Sequence, residues 1–239
     1  MNRFWWSAGL AAVLACGLVP SGFADEDTDA FARQRELMVK NTIEMRDITD
    51  PLTLQAMRSV ERHKFVETNM ERMAYADRPL PIGYGQTISQ PYIVAAMTEM
   101  LQVKEGDVVL ELGAGSGYQA AVLAEFVGHV YTIEIVPELA KIAGDRLAEL
   151  GYDNVTVKAG DGYFGWEEHA PFDGIIVTAA ATHIPPPLVE QLKPGARMVI
   201  PVGPPMQVQN LMIVEKQEDG TVVQRSVMPV RFVPLTGER

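Results

Sequence analysis

The spacing of apolar residues along this chain changes character twice. Between Phe31 and Ile48 they recur at helical intervals, with Leu37, Val39, Ile43 and Met45 as the expected core positions. Asp50-Pro51 opens a second helix, Asp50 as its cap and Pro51 in its first turn, and Leu54, Met57, Val60 and Phe65 continue the stripe. A third, short helix is expected from Glu67 to Tyr75. Residues 78–91 break the period, because three prolines and two glycines preclude a helix. The stretch is still apolar enough to be ordered, with Thr87 and Ser89 as the polar groups at its centre. Its composition suits either a functional loop or a stiff linker with turn-capping hydroxyls. Gln90-Pro91 then caps a helix running from Tyr92 to Leu101.

From Val108 the pattern alternates strand and helix. Val108 to Leu112 is β-branched and apolar, broken only by Glu111, and reads as a strand buried on both faces. Further strands are expected at His129 to Ile135, Val155 to Lys158, Phe172 to Thr178 and Arg197 to Val202. Helices lie between them at Tyr118 to Phe126, Pro137 to Leu150 and Pro185 to Leu192. Gln209 to Lys216 and Val222 to Val233 flank the turn Glu218-Asp-Gly220 and form an antiparallel pair. The fold class is therefore α/β: a doubly wound, mostly parallel sheet with an N-terminal helical cap and an antiparallel C-terminal edge. Residues 25–102 make the helical extension and loop, and residues 103–239 the sheet domain. Ligands of such sheets bind at the carboxyl ends of the strands.

The first residues read differently. Arg3 is the only charge before Asp25, and Phe4 to Val19 is apolar but too short to span a membrane comfortably. Gly22-Phe23-Ala24 places small residues before a cut, so residues 1–24 are expected to be an export signal, giving a periplasmic protein with no stable membrane insertion after processing. Processing at Cys16, or a misplaced start on a cytoplasmic protein, are the alternatives. Asp25 to Asp29 is acidic and expected to be loose. Cys16 is the only cysteine, so a mature chain cut after Ala24 has no disulfide and no thiol chemistry. A net charge of −11 argues against a nucleic-acid partner, which needs a basic face. A monomer is expected.

Candidate chemistry gathers at the strand ends. Gly113, Gly115 and Gly117 form a turn between a strand and a helix start, where backbone can approach a ligand and free N–H groups are presented. The dinucleotide fingerprint is G-x-G-x-x-G. Here the spacing is G-x-G-x-G, and the bulky Tyr118 stands where a third glycine is wanted, which argues against an NAD site. Glu111, two residues before the first glycine, could face the cationic amino-acid part of S-adenosylmethionine. Glu134 ends the second strand and could accept from both ribose hydroxyls, which alone does not separate S-adenosylmethionine from NAD. Asp161 ends the third strand and could bind an adenine amino group, with Gly162 allowing close approach. As structural residues, Glu134 would be a solvated acid and Asp161 a turn former, but one ligand pose explains all three features together.

Further motifs in order along the chain carry a resemblance. Leu80-Pro-Ile-Gly-Tyr-Gly-Gln-Thr-Ile-Ser-Gln-Pro91, Leu110-Glu-Leu-Gly-Ala-Gly-Ser-Gly-Tyr118, Gly160-Asp-Gly162, Pro171-Phe-Asp-Gly-Ile-Ile-Val-Thr178, Ile200-Pro-Val-Gly203 and Arg231-Phe-Val-Pro-Leu-Thr236 resemble the protein-L-isoaspartate O-methyltransferases, from about Asp50 to Thr236. The resemblance implies an enzyme that methylates isoaspartyl proteins and peptides with S-adenosylmethionine and no metal. It implies Ser89 as the active-site residue, with Thr87, Ile88 and Thr236 also on the substrate. It further implies Glu111, Gly113, Gly115, Ser116, Gly117, Glu134, Asp161 and Gly162 as the cofactor site. Glu61 stands where that family usually has a proline.

Other chemistries fare poorly. The four histidines, His63, His129, His169 and His183, lie in no motif with Ser89, and no G-x-S-x-G elbow is present, which argues against a serine hydrolase. No Cys/His set suggests zinc. A methyltransferase of another acceptor and a non-catalytic exported binding protein remain as alternatives.

Overall fold

A computed structural model describes residues 22–237. The expected signal thus lies outside the described residues except for its last three, which begin a helix. That helix, α1 (Gly22–Met38), runs through Asp25 to Asp29, so these acids are helical rather than loose. One π-helical turn, Val39–Ile43, and one 3₁₀ turn, Glu44–Arg46, continue from it. The widened turn resets the helical phase. Met38, Val39 and Ile43 are buried while Leu37 and Met45, expected in the core, are exposed.

Helix α2 (Pro51–Ser59) starts as its sequence requires: the Asp50 carboxylate accepts from Thr53 N at 2.7 Å. Two 3₁₀ turns follow, Arg62–Phe65 and Thr68–Met73, the second standing where a short α-helix was expected. Glu61 precedes the first with φ −80°, close to the value a proline would impose, and pairs with Lys64. The proline-rich stretch forms a small hairpin of β1 (Leu80–Pro81) and β2 (Thr87–Ile88), with Leu80 opposite Ile88. Helix α3 (Pro91–Leu101) follows directly, although Gln90 makes no side-chain cap.

The sheet contains β3 (Val108–Leu112), β4 (His129–Glu134), β5 (Val155–Ala159), β6 (Phe172–Val177), β7 (Leu192–Val202), β8 (Gln209–Lys216) and β9 (Val222–Val230). Its order is β5-β4-β3-β6-β7-β8-β9. Strands β3 to β7 are mutually parallel, and β7, β8 and β9 are antiparallel neighbours. β7 begins five residues before the expected Arg197, because Leu192 pairs with Phe172 across a register shift. β9 is an edge strand, with Pro229 near its end and a bulge at Val227, which the pairing of Leu211 with Met228 and Met212 with Ser226 leaves without a partner.

Helices α4 (Tyr118–Ala124) and α5 (Pro137–Glu149) complete the crossovers with the short α6 (Pro186–Glu190). One core joins Met57, Phe65, Val94, Met97 and Tyr118 to the sheet face bearing Val109, Val130, Ile176 and Val199. On the other face Leu110, Leu112, Ile133, Ile175 and Val177 pack with Trp166 and Leu188. The alternation of Val109 and Glu111 against Leu110 and Leu112 follows from the two-residue period of a strand. Among the described residues, no helix is long and apolar enough to cross a membrane.

Candidate functional site

The chain lays β4 and β5 on one side of β3, and β6 and β7 on the other. The carboxyl ends of β3 and β6 therefore diverge, and a cleft opens between the loops that leave them. Its space is about 780 Å³ including the open mouth.

The floor is the glycine turn. Gly113, Gly115 and Gly117 have φ of 98°, 52° and 87°, the left-handed region where a side chain is strained. A Cβ on Gly113 would come 2.5 Å from Thr178 Oγ1. Thr178 itself, at the end of β6, donates to Gly113 O at 2.6 Å and to Leu112 O at 3.0 Å. Glu134, at the end of β4, accepts from Gly115 N at 2.8 Å on one carboxylate oxygen and from Val136 N at 2.9 Å on the other. Both oxygens keep lone pairs for a further donor from the cleft that Glu134 lines.

The other walls come from distant segments. The β2 stretch contributes Gln86, Thr87, Ile88 and Ser89, and Val233 to Thr236 close the opposite side. This C-terminal strap is held by Ala180 N donating to Val233 O and Leu235 N donating to Ala180 O, each at 2.8 Å. A second cavity shares Thr87, Ser89, Thr178 and Val233 with the first and extends over Tyr92, Met228, Pro229 and Phe232. Ser89 and Thr178 thus stand where the two spaces meet.

Most residues singled out from the sequence are brought together here: Thr87, Ile88, Ser89, Gly113, Gly115, Ser116, Glu134, Gly162 and Thr236 all line the cleft. Three do not. Gly117 lies behind the turn, against Leu147 and Ala143. Asp161 lines an adjoining recess with Ile135 and Pro137; its Oδ1 accepts from Tyr163 N at 2.9 Å, while the buried Oδ2 has no partner. Glu111 points into the sheet interior, one residue short of the cleft wall. Its Oε2 accepts from Thr132 Oγ1 at 2.5 Å, and its buried Oε1 has no partner. Burial pushes its pKa up to about 8, with the nearby Glu134 charge adding to the rise and the Thr132 hydrogen bond opposing it. Direct contact of Glu111 with a ligand in the cleft, as expected from the sequence, is therefore not what the geometry offers.

Thr178 and Gln119 line the cleft and were not singled out as site residues. Gln119 is anchored by its Nε2, which donates to Thr98 Oγ1 at 2.9 Å. None of the four histidines lines either cavity. Among the described residues no group of three or more acidic, histidine or cysteine side chains could hold a metal ion.

Comparison with known proteins decides what this arrangement belongs to. The family model for protein-L-isoaspartate (D-aspartate) O-methyltransferase matches residues 33–239. The chain belongs to this family. Protein-L-isoaspartate O-methyltransferase 2 of Syntrophobacter fumaroxidans is 64% identical over 188 residues, covering 79% of this chain and 76% of that one. Protein-L-isoaspartate O-methyltransferase 1 of Cupriavidus necator is 52% identical over 240 residues, covering 97% and 90%. A solved protein-L-isoaspartate O-methyltransferase superposes with a TM-score of 0.78 at 29% identity, covering 85% of this chain and 66% of that one. The fold is also that of a Plasmodium falciparum protein solved in complex with S-adenosyl-L-homocysteine, with a TM-score of 0.72 at 24% identity and coverage of 86% and 98%. The family assignment agrees with the loop, glycine-turn and C-terminal motifs that carried the resemblance in the sequence.

Proposed function

We propose that this isoaspartyl methyltransferase family member transfers the methyl group of S-adenosylmethionine to the free α-carboxylate of L-isoaspartyl residues in damaged proteins. The observation that carries the proposal is the junction of two cavities at Ser89 and Thr178: one is floored by a nucleotide-type glycine turn, and the other is open to a peptide.

The residues present fit the cofactor. A glycine turn that a Cβ would crowd gives room for close backbone approach. Glu134 is held in place by two backbone N–H groups and would accept from the ribose hydroxyls. The unpartnered Asp161 Oδ2 is an acceptor for an amino group, and Gly162 leaves space for a flat ring. When bound, the cofactor supplies a methyl group on a sulfonium centre, an electrophile that a carboxylate oxygen can take while the bonding electron pair returns to sulfur.

The protein's own task is placement. An isoaspartyl α-carboxylate has a pKa of roughly 3.3–3.9 and is already a nucleophile at neutral pH. No general base is needed, which suits a cleft with hydroxyls and no histidine. Ser89 and Thr87 orient the carboxylate by donating hydrogen bonds without giving up a proton, and Thr236 closes the pocket from the C-terminal strap. Holding reactants in line can supply up to roughly 7–11 kcal/mol of the barrier. The methyl ester then loses methanol to attack by the next backbone nitrogen, and the succinimide opens partly to aspartate without the enzyme.

The test uses two peptides that differ only in carrying aspartate or isoaspartate at one position. Each is incubated with residues 25–239 and methyl-labelled S-adenosylmethionine. Base-labile label on the isoaspartyl peptide alone is expected; label on neither, with cofactor binding intact by calorimetry, would assign a different acceptor. Export rests on residues 1–24 and is part of the same proposal. Fractionation of bacteria expressing the chain with and without those residues should move the protein from periplasm to cytoplasm; an unchanged distribution would remove the export reading.

A further inference from the structure

Arg62 is fully buried, yet among the described residues no carboxylate lies within ion-pair distance of it. Taking a guanidinium out of water without an acid costs several kcal/mol. Its bonds show what it does there. Nε donates to Ala74 O and Nη2 donates to Ser89 O, both at 2.7 Å. The guanidinium lies 4.7 Å from the ring centre of Tyr118. Tyr118 is the first residue of α4, directly after the glycine turn, and it lines the cleft.

The chain of contacts continues. The Tyr118 ring meets Phe65 edge-on at 5.4 Å, and the Arg146 guanidinium lies 5.9 Å from the Phe65 ring. Arg146 Nη1 donates to Ser116 O, inside the glycine turn, at 2.8 Å. Arg146 also lacks an ion pair among the described residues. Two cations and two rings therefore form one packed line, and each end of it holds a backbone carbonyl. One carbonyl belongs to the substrate loop and the other to the cofactor turn. A leucine or methionine at position 62 would fill the space with less desolvation, but it would hold neither Ala74 O nor Ser89 O.

We propose that Arg62 is a positioning residue for methyl transfer: through Tyr118, Phe65 and Arg146 it ties the backbone of Ser89 to the glycine turn, so that filling the cofactor cleft sets the place of Ser89. The inference rests on the proposed function above. It requires reciprocal coupling, in which cofactor product and peptide each raise the other's affinity by the same factor. Arg62→Lys keeps the charge, but one ammonium cannot hold Ala74 O and Ser89 O in the same geometry.

The experiment measures binding of an isoaspartyl peptide by fluorescence anisotropy, with and without S-adenosylhomocysteine, in the wild type and in Arg62→Lys, alongside kcat and KM. The wild type is expected to bind peptide at least fivefold more tightly with the product present. In Arg62→Lys that ratio should fall towards one and kcat should drop tenfold or more, while S-adenosylhomocysteine affinity by calorimetry stays within threefold. If Arg62→Lys does not fold, Phe65→Leu interrupts the line without touching either carbonyl bond and should lower the same ratio. No coupling in the wild type, or an unchanged ratio in the folded variants, overturns the inference. So does a loss of product affinity in step with kcat, which would mark a merely structural role. A wild type that couples the two ligands but does not methylate the isoaspartyl peptide would refute the proposed function instead.

Discussion

Replacing Glu111 by glutamine should make the protein more stable at alkaline pH and flatten its dependence on pH. The Glu111 carboxyl is wholly buried, and among the described residues its hydrogen-bond partner is the Thr132 hydroxyl. Its pKa rises from 4.5 to about 8 in the folded chain, first because of burial and then because of Glu134. The folded-state value lies above the unfolded one. The stability tied to this group is therefore fully present below about pH 4.5 and is lost as pH rises towards 8. At about 1.36 kcal/mol for each pH unit, the loss between pH 5 and pH 8 reaches at most about 4 kcal/mol. Glutamine keeps the shape of the protonated acid, still accepts from Thr132 and never ionises. Chemical denaturation of both proteins at pH 5 and pH 8 gives the measurement. The stability of the variant relative to the wild type should grow by up to that amount across the interval. Parallel pH profiles would mean that Glu111 is ionised in the folded protein, and the account of its burial would be wrong.

Glu134→Ala removes the acceptor shared by Gly115 N and Val136 N along with the proposed ribose contacts. At about 1.5–3 kcal/mol for a hydrogen bond to a charged group, S-adenosylhomocysteine affinity by calorimetry should fall about 10-fold to 100-fold or more. Ser89→Ala should lower kcat on an isoaspartyl peptide by about 10-fold to 100-fold, for loss of one charge-assisted donor, and leave cofactor affinity nearly unchanged; unaltered kcat would remove Ser89 from its assigned role. Gly113→Ala forces a Cβ against Thr178 at a φ of 98° and should cost roughly 1–3 kcal/mol in denaturation midpoint stability, together with weakened cofactor binding.

Much of this architecture could be read from the chain because its signals are local. The mostly apolar run Val108–Leu112 before three closely spaced glycines fixes β3 and its turn, and Asp50-Pro51 fixes the start of α2. The errors have non-local causes. Across the π-helical turn Met38, Val39 and Ile43 take the core, so Leu37 and Met45, each two residues from a buried position, face solvent, and no residue pattern announces that turn. Leu192 joins β7 only because Phe172 offers a pairing partner. The site residues at strand ends were legible by position. Thr178 and Gln119 were not, because a threonine ending a strand and a glutamine in a helix carry no signal until the cleft exists. Arg62 sits in the run Arg62-His63-Lys64, which reads as polar, and only tertiary packing buries one of the three completely. Glu111 was seen as an acid next to the turn, but the strand's two-residue alternation sends its side chain inward.

The outer edge of β9 bears on the company such a protein keeps. A repair enzyme meets damaged, partly unfolded chains, and an open strand edge is a template on which such chains can assemble. Here the edge carries Arg225 in its exposed half, a bulge at Val227 and Pro229, which has no N–H to offer. These features interrupt the ladder that an incoming strand would need. An edge interrupted in this way gives the unfolded chains that a repair enzyme meets little on which to extend a sheet.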